Sequence, residues 1–166
     1  RVALAFAATH PGRVTRLVMT SMGDHEDAAR RTIVRSWLEV LERGGIEAMA
    51  WASLVDILGR EFLAAHEAHV DAMIRATAQR NTVAGMRALL VSMMAYPSPE
   101  LDAARVTAPT LLIGSPEDRL VSVASARRLA DLIPGAKLSW VEGCGHTVPV
   151  ERPEAWRSLV EGFVHR

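Results

Sequence analysis

Asp118 and His146 are the two titratable side chains whose surroundings best suit acid–base work. Asp118 closes the loop Gly114 to Asp118 after the segment Thr110-Leu111-Leu112-Ile113, and His146 ends the turn Gly143-Cys144-Gly145-His146 after Lys137 to Val141. Both preceding segments are short, and the first is β-branched and apolar, as a strand buried in a parallel sheet should be. Each side chain would then stand at a strand C-terminal end, where open α/β sheets bind ligands. An aspartate hydrogen-bonded to one imidazole nitrogen fixes the tautomer and stabilises the imidazolium. The other nitrogen is left to take a proton from a nucleophile or a water. The glycines beside His146 allow a sharp turn and leave the imidazole room. The plainer readings are a turn or helix-capping aspartate and a solvent-exposed loop histidine, and adjacent Glu117 competes for the acid's place.

Several other residues invite a chemical reading and carry less of it. Thr20-Ser21-Met22-Gly23 follows a strand, precedes a helix and keeps the order Ser, Asp, His. A nucleophile elbow, however, needs small residues on both sides of its serine, and Met19 stands where the first glycine should be. Ser21 therefore reads as a pocket or hinge residue. Cys144 lies on the base's own loop and reads as a small packing residue. His66 and His69 are three apart on a helical pattern with Glu67 nearby, but a third ligand is not evident and the spacing is one short of the zincin pair. They read as surface histidines, and His10 as a structural residue at a helix end. Trp37, Trp51, Met73, Met86, Met93 and Met94 could line an apolar pocket, since methionine adapts to irregular shapes, although helical stripes of this kind more often form core.

The elements that must position Asp118 and His146 alternate in type. Val2 to Thr9 suggests a helix stopped at His10-Pro11-Gly12, and Val14 to Thr20 a buried strand. From Asp24 to Tyr96 the character becomes all-helical. Stripes run through Ile33 to Leu41, Met49 to Leu58, Phe62 to Ile74 and Val83 to Met94, with Gly44-Gly45 ending the first. After Tyr96-Pro97-Ser98-Pro99 the alternation resumes. A strand at 110–113 leads to a helix from the N-cap Ser122 to Leu132, which Pro134-Gly135 ends. A strand from Lys137 to Val141 precedes a last helix starting at Pro153, with a stripe of Trp156, Leu159, Val160, Phe163 and Val164.

Composition bounds the reading. At 166 residues, 49% hydrophobic and 23% charged, with one cysteine, the chain suits one compact globular unit with an insertion. Nineteen basic and nineteen acidic side chains cancel, so no net attraction to phosphate backbones or anionic lipid is available. Nucleic acid and membrane are excluded as expected partners: apolar stretches break well before the ~20 residues of a span. The expected location is cytoplasmic. Arg1 stands inside an apolar helical pattern with neither Met nor a capping residue ahead of it, as in a piece of a longer protein.

Taken together, these segments resemble the α/β-hydrolase superfamily, in particular its cap-bearing esterase, lactonase and haloperoxidase-like members. Arg1 to Val14, with His10-Pro11-Gly12-Arg13-Val14, is similar to the helix after the nucleophile elbow and the entry to the next strand. Ala108 to Ile113 with Glu117-Asp118-Arg119-Leu120-Val121 resembles the acid strand and loop. Gly143-Cys144-Gly145-His146 with Glu151-Arg152-Pro153-Glu154 resembles the histidine loop and final helix. Ser115-Pro116 departs from the pattern, standing where the family usually has a glycine.

The resemblance implies an α/β fold: the C-terminal portion of an α/β-hydrolase sheet, about three parallel strands with flanking helices, carrying an all-helical cap. Residues 1–23 would be core, 24–96 cap and 97–166 core with both loops. It implies Asp118 as triad acid and His146 as general base, with no metal or organic cofactor. The nucleophile elbow G-x-S-x-G and the oxyanion amides would lie upstream of residue 1, leaving this chain alone with little catalysis. The substrate expected is a small, fairly apolar ester, lactone or thioester, while C–C hydrolysis, dehalogenation and cofactor-free peroxidation stay open. A different class is a non-catalytic binding or assembly module. The strand from Val14 to Thr20 would lack its neighbour, which invites a homo-oligomer or pairing with the N-terminal half.

Overall fold

The computed structural model describes residues 1–24 and 28–165, so positions 25–27 at the opening of the expected 24–96 block, and Arg166, lie outside the described residues. In chain order the elements are α1 (Val2–Thr9), β1 (Leu17–Thr20), α2 (Ala28–Ile57), α3 (Arg60–Ala65), α4 (Val70–Arg80) and α5 (Val83–Ala95). There follow α6 (Glu100–Ala103), β2 (Thr110–Gly114), α7 (Val123–Leu132), β3 (Lys137–Trp140), α8 (Val148–Glu151) and α9 (Pro153–Val164).

The three strands form one parallel sheet in the order β1-β2-β3, with Leu17 opposite Thr110 and Leu111 opposite Lys137. The central strand β2 is buried along its whole length, which accounts for its unbroken apolar run. Successive side chains of a strand point to opposite faces. Leu112, with Leu17 and Met19, packs against Leu4 and Ala7 of α1, Ala103 of α6 and Leu129 of α7. Leu111 and Ile113 face the other way, beneath Trp156, Leu159, Val160 and Phe163 of α9. The sheet is thus covered on both faces, and its strand ends are left to carry the loops.

Between β1 and β2 lies the helical insertion. Within α2 the first helical run ends at Gly45, as the Gly44-Gly45 pair predicts: its φ of 76° suits glycine, and a second run starts beyond the kink. It packs against α4 and α5 around Val34, Trp37, Leu41, Met49 and Leu90. Leu120 and Val121 of the acid loop and Ala126 of α7 belong to the same cluster. The insertion therefore rests on the loop that carries Asp118.

Three sequence expectations need correction. Pairing of β1 begins at Leu17, not Val14, because the Leu17 amide is where the ladder to Pro109 starts, at 2.9 Å. The stripe from Phe62 to Ile74 is two helices: His66 leaves helical geometry (φ −119°, ψ 17°), and a 3-10 turn, Glu67–His69, separates them. The His66 ring stacks on Phe62, and its Nδ1 lies 2.9 Å from the Phe62 carbonyl, satisfying a helix-end acceptor. Val55, Val83, Leu89 and Val164 continue their stripes in sequence yet are exposed, because those helices bury narrower faces than the pattern suggests. Among the described residues no helix is long and apolar enough to cross a membrane.

Candidate active site

Asp118 and His146 meet at the C-terminal ends of β2 and β3. His146 Nδ1 lies 2.8 Å from Asp118 Oδ2. A carboxylate only accepts, so Nδ1 carries the hydrogen, and Nε2 is the ring nitrogen left for other partners. The other carboxylate oxygen, Oδ1, accepts from the amides of Leu120 at 2.8 Å and Val121 at 3.0 Å. These bonds form because the chain turns back toward the Ser122 N-cap immediately after Asp118, and they fix the carboxylate plane. Such bonds also make burial of the charge tolerable.

Glu117, the rival acid, is directed elsewhere: its Oε1 accepts from the Gly143 amide at 2.8 Å. Ser115, at the departure from the family pattern, is buried and donates through Oγ to the Cys144 carbonyl, tying the acid loop to the histidine loop. The Asp118 amide in turn donates to the Ser115 carbonyl at 3.3 Å.

The backbone of His146 is gripped on both sides. Its amide donates to the Ile57 carbonyl at 2.8 Å, and its carbonyl accepts the Ser21 hydroxyl. Ser21 holds a φ of 52°, unusual for a residue with a side chain, and its amide donates to the Ile113 carbonyl at 2.8 Å. Its hydroxyl thus braces the histidine loop through a backbone carbonyl.

Glu151 is a buried carboxylate that sequence reasoning passed over as part of a helix-start motif. Its Oε2 accepts from the Gly59 amide at 2.7 Å, its two oxygens from the Gly145 amide at 3.1 and 3.0 Å, and its Oε1 from the Thr147 amide and hydroxyl at 3.2 and 2.9 Å. Asp24 was passed over too. It is buried, accepts the Ser125 hydroxyl at 2.7 Å and pairs with Arg128, pinning the segment after β1 to α7. The partners of Asp24, Ser125 and Arg128, lie far away in sequence, and Glu151 joins its near partners Gly145 and Thr147 to the distant Gly59.

The other candidates fall into place. Cys144 is fully buried, and desolvation pushes its thiol above the ordinary value. His66 and His69 stand 6.5 Å apart edge to face, and no metal-binding group of three ligands occurs among the described residues. His10 stacks on Phe6 at the end of α1. Of the six Trp and Met residues, Met93 lines a cavity of about 300 Å³ beside His146, together with Ser21, Tyr96, Leu120 and Val121 and the charged Arg30. Trp37, Met86 and Met94 pack into the insertion's core, and Trp51 is exposed.

A sheet of this topology, with an acid and a histidine on consecutive strand ends, defines an α/β-hydrolase framework. The chain belongs to the alpha/beta hydrolase family, whose model matches residues 2–159. It is 27% identical over 167 residues to RutD of Caulobacter sp. (strain K31), provisionally named a carbamate hydrolase, covering 97% of this chain and 60% of that protein. It is 29% identical over 178 residues to the 2-hydroxymuconate semialdehyde hydrolase of Pseudomonas putida, covering 98% and 58%. Among solved structures, MGS-M2, an alpha/beta hydrolase enzyme from a Medee basin deep-sea metagenome library, superposes with a TM-score of 0.88 at 25% identity, over 99% of this chain and 61% of that one. The chain therefore spans about 60% of the length of the relatives it matches.

Proposed function

We propose that this chain carries the acid and base of a serine hydrolase acting on a small, fairly apolar ester, lactone or thioester. His146 is the general base and Asp118 the carboxylate that orients it. The nucleophilic serine and the oxyanion amides come from sequence preceding residue 1. The observation that supports this most is the 2.8 Å contact between a buried, amide-fixed carboxylate and a histidine lining a cavity.

The imidazole removes the serine proton through Nε2 as the hydroxyl attacks the acyl carbon. Asp118 stabilises the imidazolium that results, and the same proton then passes to the leaving group. Water repeats the cycle to free the acid product. The helical insertion acts as a cap whose Met93 and Tyr96, with Leu120 and Val121 of the acid loop, give the substrate an apolar wall. The relatives' names range over carbamate and semialdehyde hydrolysis, so the fold does not by itself choose the substrate. The protein works in the cytoplasm on a small molecule.

Labelling with a fluorophosphonate tests the reading. In protein that includes the upstream sequence, the adduct is expected on a serine ahead of residue 1 and should disappear with His146→Ala. An adduct on Ser21 would overturn the assignment of the nucleophile.

A further inference from the structure

Glu151 makes no hydrogen bond to Asp118 or to the imidazole of His146, yet its carboxylate is buried at 5% exposure. A carboxylate is costly to bury unless its lone pairs are used. Here they are used on the two residues that flank His146 in sequence, Gly145 and Thr147, and on a distant third, Gly59. Gly59 joins α2 to α3, at a corner midway along the helical insertion. Two residues earlier, the Ile57 carbonyl takes the amide of His146 itself.

The two glycines meet backbone to backbone. A Cβ on Gly59 would lie 2.7 Å from the Gly145 nitrogen, and one on Gly145 would lie 2.7 Å from the Ile57 oxygen. Apart from Glu151 Oε2, the atoms that each Cβ would meet first are backbone and cannot yield. The histidine loop and the α2–α3 corner are therefore one rigid seam, and the carboxylate is the group common to both sides of it.

We propose that Glu151 is a positioning residue for His146, coupling the pose of the base to the α2–α3 corner of the cap. This rests on the reading of His146 as base. Acting through the loop, Glu151 sets the direction of the imidazole without touching substrate. A glutamine at this position would aim an NH2 group at amide donors on one side and leave one arm of the seam unbonded. The loop would relax, and small misplacements of a catalytic group are expensive in rate.

The test uses the full-length protein, turning over a short-chain p-nitrophenyl ester. Glu151→Gln is expected to lower kcat per titrated active site roughly 10- to 100-fold while KM stays within about threefold. Glu151→Asp, which keeps the charge on a shorter arm, should recover part of the loss. The downfield proton resonance of His146 Nδ1–H, set by its bond to Asp118, should shift or broaden in Glu151→Gln while the circular dichroism is unchanged. Gly59→Ala, made on the cap side only, should reproduce both effects, and it decides the matter if Glu151→Gln does not fold. Wild-type kcat and an unmoved resonance in the folded variant overturn the proposal. His146→Ala separates the two failures: if it abolishes turnover while Glu151→Gln and Gly59→Ala do not change it, the positioning role alone is wrong. If His146→Ala is fully active, the base assignment is wrong and this role falls with it.

Discussion

Asp118 Oδ2 accepts the Nδ1 hydrogen of His146 at 2.8 Å, and the two side chains differ sharply in exposure, 1% against 29%. The acid is sealed and held by two amides, while the base keeps an open side toward the cavity. That division suits a pair in which one member only orients and the other exchanges protons.

Asp118→Asn tests this division. Asparagine keeps the shape but can no longer both accept from Nδ1–H and serve the Leu120 and Val121 amides in a single orientation with full charge. In protein that contains the nucleophile, kcat should fall by about 10⁴, as when a triad carboxylate is lost and the wrong tautomer prevails. Steady-state turnover of a p-nitrophenyl ester measures it; a loss under about tenfold would contradict the role.

Ser21→Ala separates a brace from a nucleophile. Removing the hydroxyl deletes its bond to the His146 carbonyl and should cost about 0.5–1.5 kcal/mol in urea unfolding. Turnover should drop by no more than about tenfold, since the attacking atom is elsewhere. Complete loss of activity in a folded Ser21→Ala protein would make Ser21 the nucleophile.

Much of this arrangement is legible in the sequence for identifiable reasons. Strand β2 and its loop stand out because a central parallel strand is buried on both faces, giving the run Thr110-Leu111-Leu112-Ile113. The Ser122 cap, which accepts from the Ser125 amide at 3.2 Å, and Pro153 at the start of α9 are local signals that held. The break at His66 escaped because the apolar spacing runs through it without interruption, while the cause is the ring's bond to the Phe62 carbonyl. Glu151 escaped because one of its partners, Gly59, lies 92 residues away, and the seam it closes is a backbone contact with no side-chain pattern.

Cys144 gives a prediction in pH. Desolvation raises its thiol above the ordinary 9.0, so the folded protein holds that proton more tightly than the unfolded chain does. The stability this contributes is full below the unfolded value and is lost as pH rises through the folded one. The urea midpoint should therefore fall faster in the wild type than in Cys144→Ala as pH rises from the unfolded value to the folded one. At neutral pH iodoacetamide should label the thiol slowly in the native state and rapidly after unfolding; fast native labelling would contradict its burial.

The outer edge of β1 yields another. The amides of Leu17 and Ser21 point toward β2, so those of Val18 and Thr20 point the opposite way, and among the described residues no strand covers that side. An open edge of this kind recruits another chain. Residues 1–166 expressed alone should dimerise or aggregate, whereas protein extended upstream should not. A stable, cooperatively folded monomer in sedimentation of the short chain would count against this.

The proposed role of His146, as the base of a hydrolase whose nucleophile lies ahead of residue 1, is open to direct test. The most direct measurement is hydrolysis of a short-chain p-nitrophenyl ester by residues 1–166 and by protein extended upstream through the next strand, each with and without His146→Ala. Activity is expected only in the extended protein, abolished by the substitution. Turnover by residues 1–166 alone that depends on His146 would contradict it, placing a nucleophile within this chain.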